Sequence, residues 1–109
     1  MDGERREYMR KGAEIIRQHL GGNRFAAMTD AQFAYDSSSR NINLSVRFRG
    51  SRRANALEII LDDDDTYTMR FAVYRPKLAE YTVVYETRGV YANMLQDVFE
   101  RVTGLKTQL

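Results

Sequence analysis

The chain has 109 residues, which is enough for one domain with one hydrophobic core and too few for two. Its composition, 43% hydrophobic and 29% charged, is typical of a globular protein and excludes a disordered one. The net charge of +2 is too small to indicate a polyanionic partner by itself, and the absence of cysteine excludes disulfides, thiolate metal sites and cysteine nucleophiles.

The first twenty residues predict an amphipathic helix. Apolar and small residues recur there at spacings of three and four, with charged residues on the other face. The members of this stripe are Tyr8, Gly12, Ile15, Ile16, His19 and Leu20. Gly21-Gly22-Asn23 tolerates positive φ angles and predicts the end of the helix. Gly12 lies within the stripe, which predicts that the backbone of another segment approaches it closely.

After this helix the hydrophobic period changes from 3.6 to 2, which predicts strands. Alternating runs cover residues 42–48, 57–61, 67–73 and 81–85, and a shorter segment at 33–35 precedes them. In the last run we expect Tyr81, Val83 and Tyr85 on one face. The connections are short, so neighbouring strands are expected to pair antiparallel.

The helical period returns at the C-terminal end, where an apolar stripe predicts a second helix capped by Gly104. The members of the stripe are Tyr91, Leu95, Val98, Phe99 and Val102. We therefore expect one α+β domain over residues 1–109: an antiparallel β-meander of four to five strands, flanked by an N-terminal and a C-terminal helix that pack on one face.

No segment of the sequence predicts a catalytic or metal site. Asp62–Asp65 has carboxylates that suit Ca²⁺ or Mg²⁺, but the EF-hand spacing is absent and a solvated hairpin loop is favoured. His19 is the single histidine and has no partner motif. The glycines at 21–22 follow a helix, unlike a phosphate-binding loop, and the serines at 37–39 are typical of a turn. The sequence predicts a protein that is not an enzyme and binds no cofactor or metal.

Arginines give the strongest indication of a binding site. Five of them, and no acidic residue, lie between Arg40 and Arg53. The candidate binding residues are Arg47, Arg49, Arg52, Arg53, Arg70 and Tyr74. Arginine and tyrosine on a sheet face bind nucleic acids in several folds, and both are enriched in protein interfaces. The alternative is a solvated face, on which these arginines form ion pairs with Glu58, Glu80, Glu86 or the aspartate loop.

Two stretches resemble a family of small proteins carried by bacteriophages and other mobile elements. They are LGGNRFAAMTDAQFAY, residues 20–35, and GVYANMLQDVFERVTGLKTQL, residues 89–109. The shared elements are LGGN-basic-Phe-x-x-Met-Thr after a first helix, an Asp-x-Tyr hairpin, and a Tyr-Ala-x-Met-Leu helix ending in Thr-Gly-Leu. Asp30 stands where such sequences often have glycine. The resemblance implies a mobile element in a bacterial cytoplasm and supplies no catalytic residue.

Two function classes stay open at this point. The first is a small non-enzymatic protein that acts through an Arg/Tyr-rich sheet face on a host or phage protein, for example as a host-defence inhibitor. The second is a nucleic-acid-binding accessory protein. The near-balanced charge disfavours a DNA mimic. The sequence has no apolar leader or membrane-spanning run, so we expect a cytoplasmic protein with no membrane partner.

A homodimer is also predicted. Ile60 and Val84 are apolar at positions where the alternation calls for polar residues, on the same predicted face as Tyr74. Open sheet edges, here the 33–35 segment or the opposite edge, are often covered by self-association. We therefore expect a second copy of the chain to cover this face or one of these edges.

Overall fold

In the computed structural model, which describes residues 2–108, two helices precede five β-strands and a third helix follows them. The helices are α1 (Asp2–Leu20), α2 (Gly22–Thr29) and α3 (Leu95–Thr103), and the strands are β1 (Gln32–Ala34), β2 (Asn43–Arg47), β3 (Ala56–Leu61), β4 (Tyr67–Arg75) and β5 (Glu80–Val90). Short 3-10 turns at Pro76–Leu78 and Ala92–Met94 precede β5 and α3. The strands form one sheet in the order β1-β2-β3-β4-β5, and every neighbouring pair is antiparallel. The predicted α+β meander is confirmed.

A cluster of phenylalanines joins the helices to one face of the sheet. Phe99 of α3 lies edge-on to Phe25 of α2 and to Phe48 after β2, with ring centroids 4.8 and 4.9 Å apart. Phe71 of β4 completes the cluster at 6.2 Å. Edge-to-face pairs of this kind add to the free energy gained by burying the rings. Ile16 and Leu20 of α1 are buried in the same core, so all three helices pack on one face.

The buried stripe of α1 is rotated from its predicted position. Its buried residues are Met9, Gly12, Ala13, Ile16 and Leu20. Tyr8, Ile15 and His19, which the sequence analysis placed on the stripe, are exposed. The stripe at Met9, Ala13, Ile16 and Leu20 follows the i, i+4, i+7, i+11 spacing equally well. Its small members let the helix lie close to the sheet.

The glycines after α1 end that helix as predicted, but a second helix follows at once. Gly21 has a φ of 121°, and α2 begins at Gly22. Helix α2 was not predicted, because Phe25 and Thr29 are its only buried side chains and two positions are too few to show a helical period. None of the helices in the described part of the chain combines the length and hydropathy needed to cross a membrane.

The C-terminal helix is shorter than predicted. Tyr91 is exposed and lies before the 3-10 turn, and α3 starts at Leu95. Leu95, Val98 and Phe99 are buried, as the stripe predicts. The Gly104 cap is confirmed: its φ is 79°, and its N–H donates to the Glu100 carbonyl at 2.8 Å.

A β-bulge in β5 changes which side chains point away from the helices. Phe71 pairs with Tyr85 but Ala72 pairs with Val83, so Val84 is the extra residue. Tyr85 therefore lies beside Phe71 on the helix side, while Val83 lies on the other face with Ala72. Tyr81 pairs with Tyr74 on that same face. The prediction that Tyr81, Val83 and Tyr85 share one face is wrong, because simple alternation cannot cross a bulge.

Gly12 provides a test of the packing between α1 and the sheet. A Cβ at Gly12 would lie 2.5 Å from Cδ1 and 2.6 Å from Cγ2 of Ile42, so Gly12 accommodates a side chain rather than the expected backbone. Alanine gains about 1 kcal/mol in helix propensity, but overpacking costs about 1–3 kcal/mol. We expect Gly12→Ala to lower the free energy of unfolding by about 1 kcal/mol, measured by urea denaturation.

The matched control removes the obstructing side chain. In an Ile42→Ala background the clash is absent, so Gly12→Ala should stabilise the protein by up to about 1 kcal/mol through helix propensity alone. A stabilising Gly12→Ala in the native background would show that α1 does not press on Ile42.

Candidate binding face

The sheet face opposite the helices, called here the open face, is covered by no helix of residues 2–108. The strand register arranges its side chains in rows that run across the sheet. One row, called the charged row, consists of Ser45, Glu58, Arg70 and Glu86. The next, called the alanine row, consists of Arg47, Ala56, Ala72 and Val83. Beyond it lie Tyr74 and Tyr81, which are paired across β4 and β5 and are called here the tyrosine pair.

Arg70 is neutralised within the charged row. Its Nη1 lies 3.1 Å from a Glu58 carboxylate oxygen and its Nε lies 2.7 Å from one of Glu86. Arg88 donates to the other Glu86 oxygen at 3.0 Å. The hydrogen bond from Arg70, followed by that from Arg88, lowers the pKa of Glu86 below its ordinary range. For Arg70, the solvated ion-paired alternative is therefore the one that the structure shows.

Arg47 makes a different kind of contact. Its guanidinium carbon lies 4.3 Å from the centroid of the Tyr74 ring, a cation–π arrangement. Among residues 2–108, no carboxylate oxygen lies within 4.0 Å of this guanidinium. Ala56 and Ala72, beside it in the alanine row, are buried. Their exposures of 5% and 0% mean that larger neighbouring side chains cover the alanine row.

The tyrosine pair and Val83 form the apolar part of the open face. The rings of Tyr74 and Tyr81 have their centroids 6.3 Å apart. Tyr81 is 52% exposed and Val83 is 47% exposed, large fractions for residues of this size in a strand. The hydroxyl end of Tyr81 is partly desolvated, and this burial, with a smaller effect of the Glu58 carboxylate, raises the pKa of Tyr81.

A polar depression, called here the arginine cleft, lies at the end of the sheet next to the tyrosine pair. It has a volume of about 330 Å³, and Arg47, Arg49, Asn55 and Tyr74 are among the residues that line it. The Asn55 side chain accepts a hydrogen bond from the Tyr74 N–H at 2.7 Å and donates one to the Tyr74 carbonyl at 2.9 Å. Arg49 Nε lies 3.5 Å from the Asp30 carboxylate, which also lines the cleft.

The structure divides the predicted arginine patch into separate groups. Arg47, Arg49 and Tyr74 line the arginine cleft together, and Arg70 lies on the same face in the charged row. Arg52 is exposed in the loop after β2. Arg53 lies elsewhere, because its Nη1 donates to the carbonyls of Arg101 and Val102, 3.3 Å from each, at the end of α3. An arginine at a helix C-terminus satisfies carbonyls that lack partners in the helix.

Sequence reasoning missed Asn55, Tyr81 and Val83 as members of the face. Asn55 has no local signal, because both of its hydrogen bonds reach a strand nineteen residues away. The consecutive valines Val83 and Val84 are a signal that could have been used. Two apolar neighbours break the alternation at the point where the bulge forms.

The aspartate loop is the hairpin turn between β3 and β4. Asp64 accepts hydrogen bonds from the N–H and the hydroxyl of Thr66, at 3.1 and 2.6 Å, and Asp62 accepts one from the Thr68 hydroxyl at 2.6 Å. Asp63 pairs with Arg40 at 3.3 Å. Within residues 2–108, no group of three or more histidine, cysteine or carboxylate side chains is arranged to hold a metal ion.

Comparisons of the chain with protein-family models, characterised proteins and solved structures find no match. The resemblance to small phage proteins therefore stays a prediction.

The ion pair at Arg70 can be tested by titration. The hydrogen bond from Arg70 contributes most to the lowered pKa of Glu86, so Arg70→Gln should raise that pKa toward the ordinary value of 4.5. The pKa can be measured by NMR of the carboxyl carbon. The depressed value means that the pair stabilises the fold above about pH 4.5 and that this stabilisation is lost as pH falls through the folded pKa.

The control for this titration is Arg40→Gln, which makes the same charge change beside Asp63 and should leave the pKa of Glu86 unchanged. An equal shift in both variants, or no shift in Arg70→Gln, would contradict the ion pair.

Proposed function

We propose that this chain is a non-enzymatic binding protein whose open face docks on a protein partner. The observation that carries the proposal is the half-exposed Tyr81 and Val83, which lie beside Tyr74 and Arg47 on a face that no helix of residues 2–108 covers. Tyrosine and arginine are enriched in protein interfaces and among the residues that dominate binding energy. The charged row lies beside this apolar area, as the polar rim of an interface does.

The charge of the open face favours a protein over a nucleic acid as the partner. Arg70 and Arg88 are matched by Glu58 and Glu86, so the centre of the face has no excess of positive charge. Nucleic-acid binding depends on several cations that neutralise phosphates along one track. A protein partner needs no such track and gains from the exposed tyrosine and valine side chains.

The resemblance of residues 20–35 and 89–109 to small phage proteins guides the choice of partner. It makes a host or phage protein in the bacterial cytoplasm the partner that we propose, with components of host defence included. A second copy of this chain would meet the same exposed side chains. The homodimer therefore stays a prediction within the same class of function. The predicted common face of Ile60, Val84 and Tyr74 is wrong, because the bulge places the 49% exposed Val84 beside Tyr85, Arg101 and Val102 on the helix side.

Nucleic-acid binding is the alternative function, and one observation favours it. Arg47 lies over the Tyr74 ring with Arg49 in the same cleft, and arginine beside an aromatic ring can hold a phosphate and stack a base. Phosphate binding would weaken linearly with salt on a double-logarithmic scale.

The protein-binding proposal is tested by capture from a host lysate followed by affinity measurement with the purified partner. Tyr81→Ala removes a half-exposed ring from the open face. It should weaken binding about tenfold or more, as truncation of a central interface tyrosine does. Circular dichroism would confirm that the variant is folded.

Tyr8→Ala is the matched control, because Tyr8 is 61% exposed but lies on α1, away from the open face. It should bind the partner like the native protein. Equal binding by the native protein and Tyr81→Ala, or a larger loss with Tyr8→Ala, would overturn the proposal.

A further inference from the structure

We propose that the arginine cleft binds a carboxylate side chain from an acidic segment of the partner. This inference rests on the proposed function, since the segment belongs to the protein that the open face contacts. The cleft adjoins the tyrosine pair through Tyr74, which belongs to both. A bound segment can therefore place a carboxylate in the cleft and its apolar neighbours on Tyr81 and Val83.

Within residues 2–108, the two arginines of the cleft have N–H donors that form no hydrogen bond with the other groups lining it. Stacking on Tyr74 fixes the Arg47 guanidinium while leaving the N–H groups in its plane available. Arg49 is 84% exposed in its side chain, and its Nε lies 3.5 Å from the Asp30 carboxylate. Two guanidinium groups face one carboxylate, so the cleft has a net positive charge. Guanidinium and carboxylate groups match in shape and form paired, charge-assisted hydrogen bonds.

Hydrogen bonds on three sides fix the walls of the cleft before any ligand arrives. Asn55 holds the backbone of Tyr74 through two bonds. The Arg49 N–H donates to the Thr29 carbonyl at 3.0 Å, and the Ser51 hydroxyl donates to the Thr103 carbonyl at 2.8 Å. The loop after β2 is thereby tied to the ends of α2 and α3. A site ordered in advance loses less entropy on binding.

The acidic residues around the cleft favour an isolated carboxylate over a phosphate chain. Asp30 lies in the cleft itself, and Glu58 and Glu86 lie in the row beyond the alanines. A nucleic-acid strand would carry further phosphates past these groups, with a single excess cation to neutralise them. A peptide can present one acidic side chain to the cleft and uncharged residues elsewhere.

The test is an NMR titration of the whole chain with a capped hexapeptide of one glutamate among five glutamines, called here the single-glutamate peptide, with capped hexa-glutamine as the neutral control. The single-glutamate peptide should shift the amide signals of residues 47–51 and of Tyr74, and hexa-glutamine should not. Arg47→Gln should weaken binding about five- to tenfold. Arg47→Lys should weaken it as well, because an ammonium keeps the charge but loses the paired geometry and the stacking.

Arg88→Gln is the matched control, since it removes the same charge from an exposed arginine outside the cleft. It should leave binding of the single-glutamate peptide within about twofold of native. An equal loss in Arg88→Gln and Arg47→Gln, or shifts outside the cleft only, would overturn the proposal. So would tighter binding of a single-stranded oligothymidylate than of the single-glutamate peptide at about 0.15 M salt, which would assign the cleft to nucleic acid.

The failure of this inference is distinguishable from the failure of the proposed function. If Arg47→Gln binds the purified partner like the native protein while Tyr81→Ala does not, the cleft proposal is wrong and protein binding by the open face stands. If the single-glutamate peptide binds in the cleft while Tyr81→Ala leaves partner binding intact, the carboxylate site stands and docking through the open face is wrong.

Discussion

The packing of Phe99 against three other phenylalanine rings is the contact on which the rest of the structure depends. Phe25, Phe48 and Phe71 come from α2, from the end of β2 and from β4, and each lies within 6.2 Å of Phe99 between ring centroids. This cluster draws α2 and α3 to the face of the sheet where α1 also packs. With three helices on that face, the described part of the chain has none left for the other.

The open face follows from this one-sided arrangement, and its chemistry divides into two parts. In the charged row, Arg70 and Glu86 form an ion pair, which gives this part of the sheet a polar surface. Near the end of the sheet, short alanines, a stacked arginine and the tyrosine pair replace that network. Tyr81 and Val83 are both about half exposed there. This apolar end, bordered by the arginine cleft, is the reason for proposing that the open face binds a partner.

Much of the fold was predictable from hydrophobic period because most elements bury one regular stripe. The strands 42–48, 57–61 and 67–73 and the antiparallel order follow from alternation and short connections, and the structure confirms them. The short helix α2 has too few buried positions to show a period. Helix α1 has two adjacent stripes that could face the sheet, and tertiary packing rather than the sequence period determines which of them is buried.

The candidate site was only partly predictable. The arginine-rich stretch and Tyr74 indicated a binding region, and Arg47, Arg49 and Tyr74 do lie together. Arg53 caps α3 instead, because its position depends on a loop conformation and on helix carbonyls 48 and 49 residues away. The position of Tyr81 depends on the bulge at Val84, which period alone does not reveal. Contacts between residues that are far apart in the sequence cannot be predicted from local sequence patterns.

The most direct test of the proposal that the open face binds a partner is to measure whether this face is exposed to solvent in the free protein. A soluble paramagnetic probe broadens the NMR signals of side chains that solvent reaches. At low micromolar protein concentration, the Tyr81 ring and the Val83 methyl signals should broaden strongly, while those of Phe71 and Phe99 should not. Protection of Tyr81 and Val83 equal to that of Phe99 would show that the face is covered, and would contradict a binding surface that stands open for a partner.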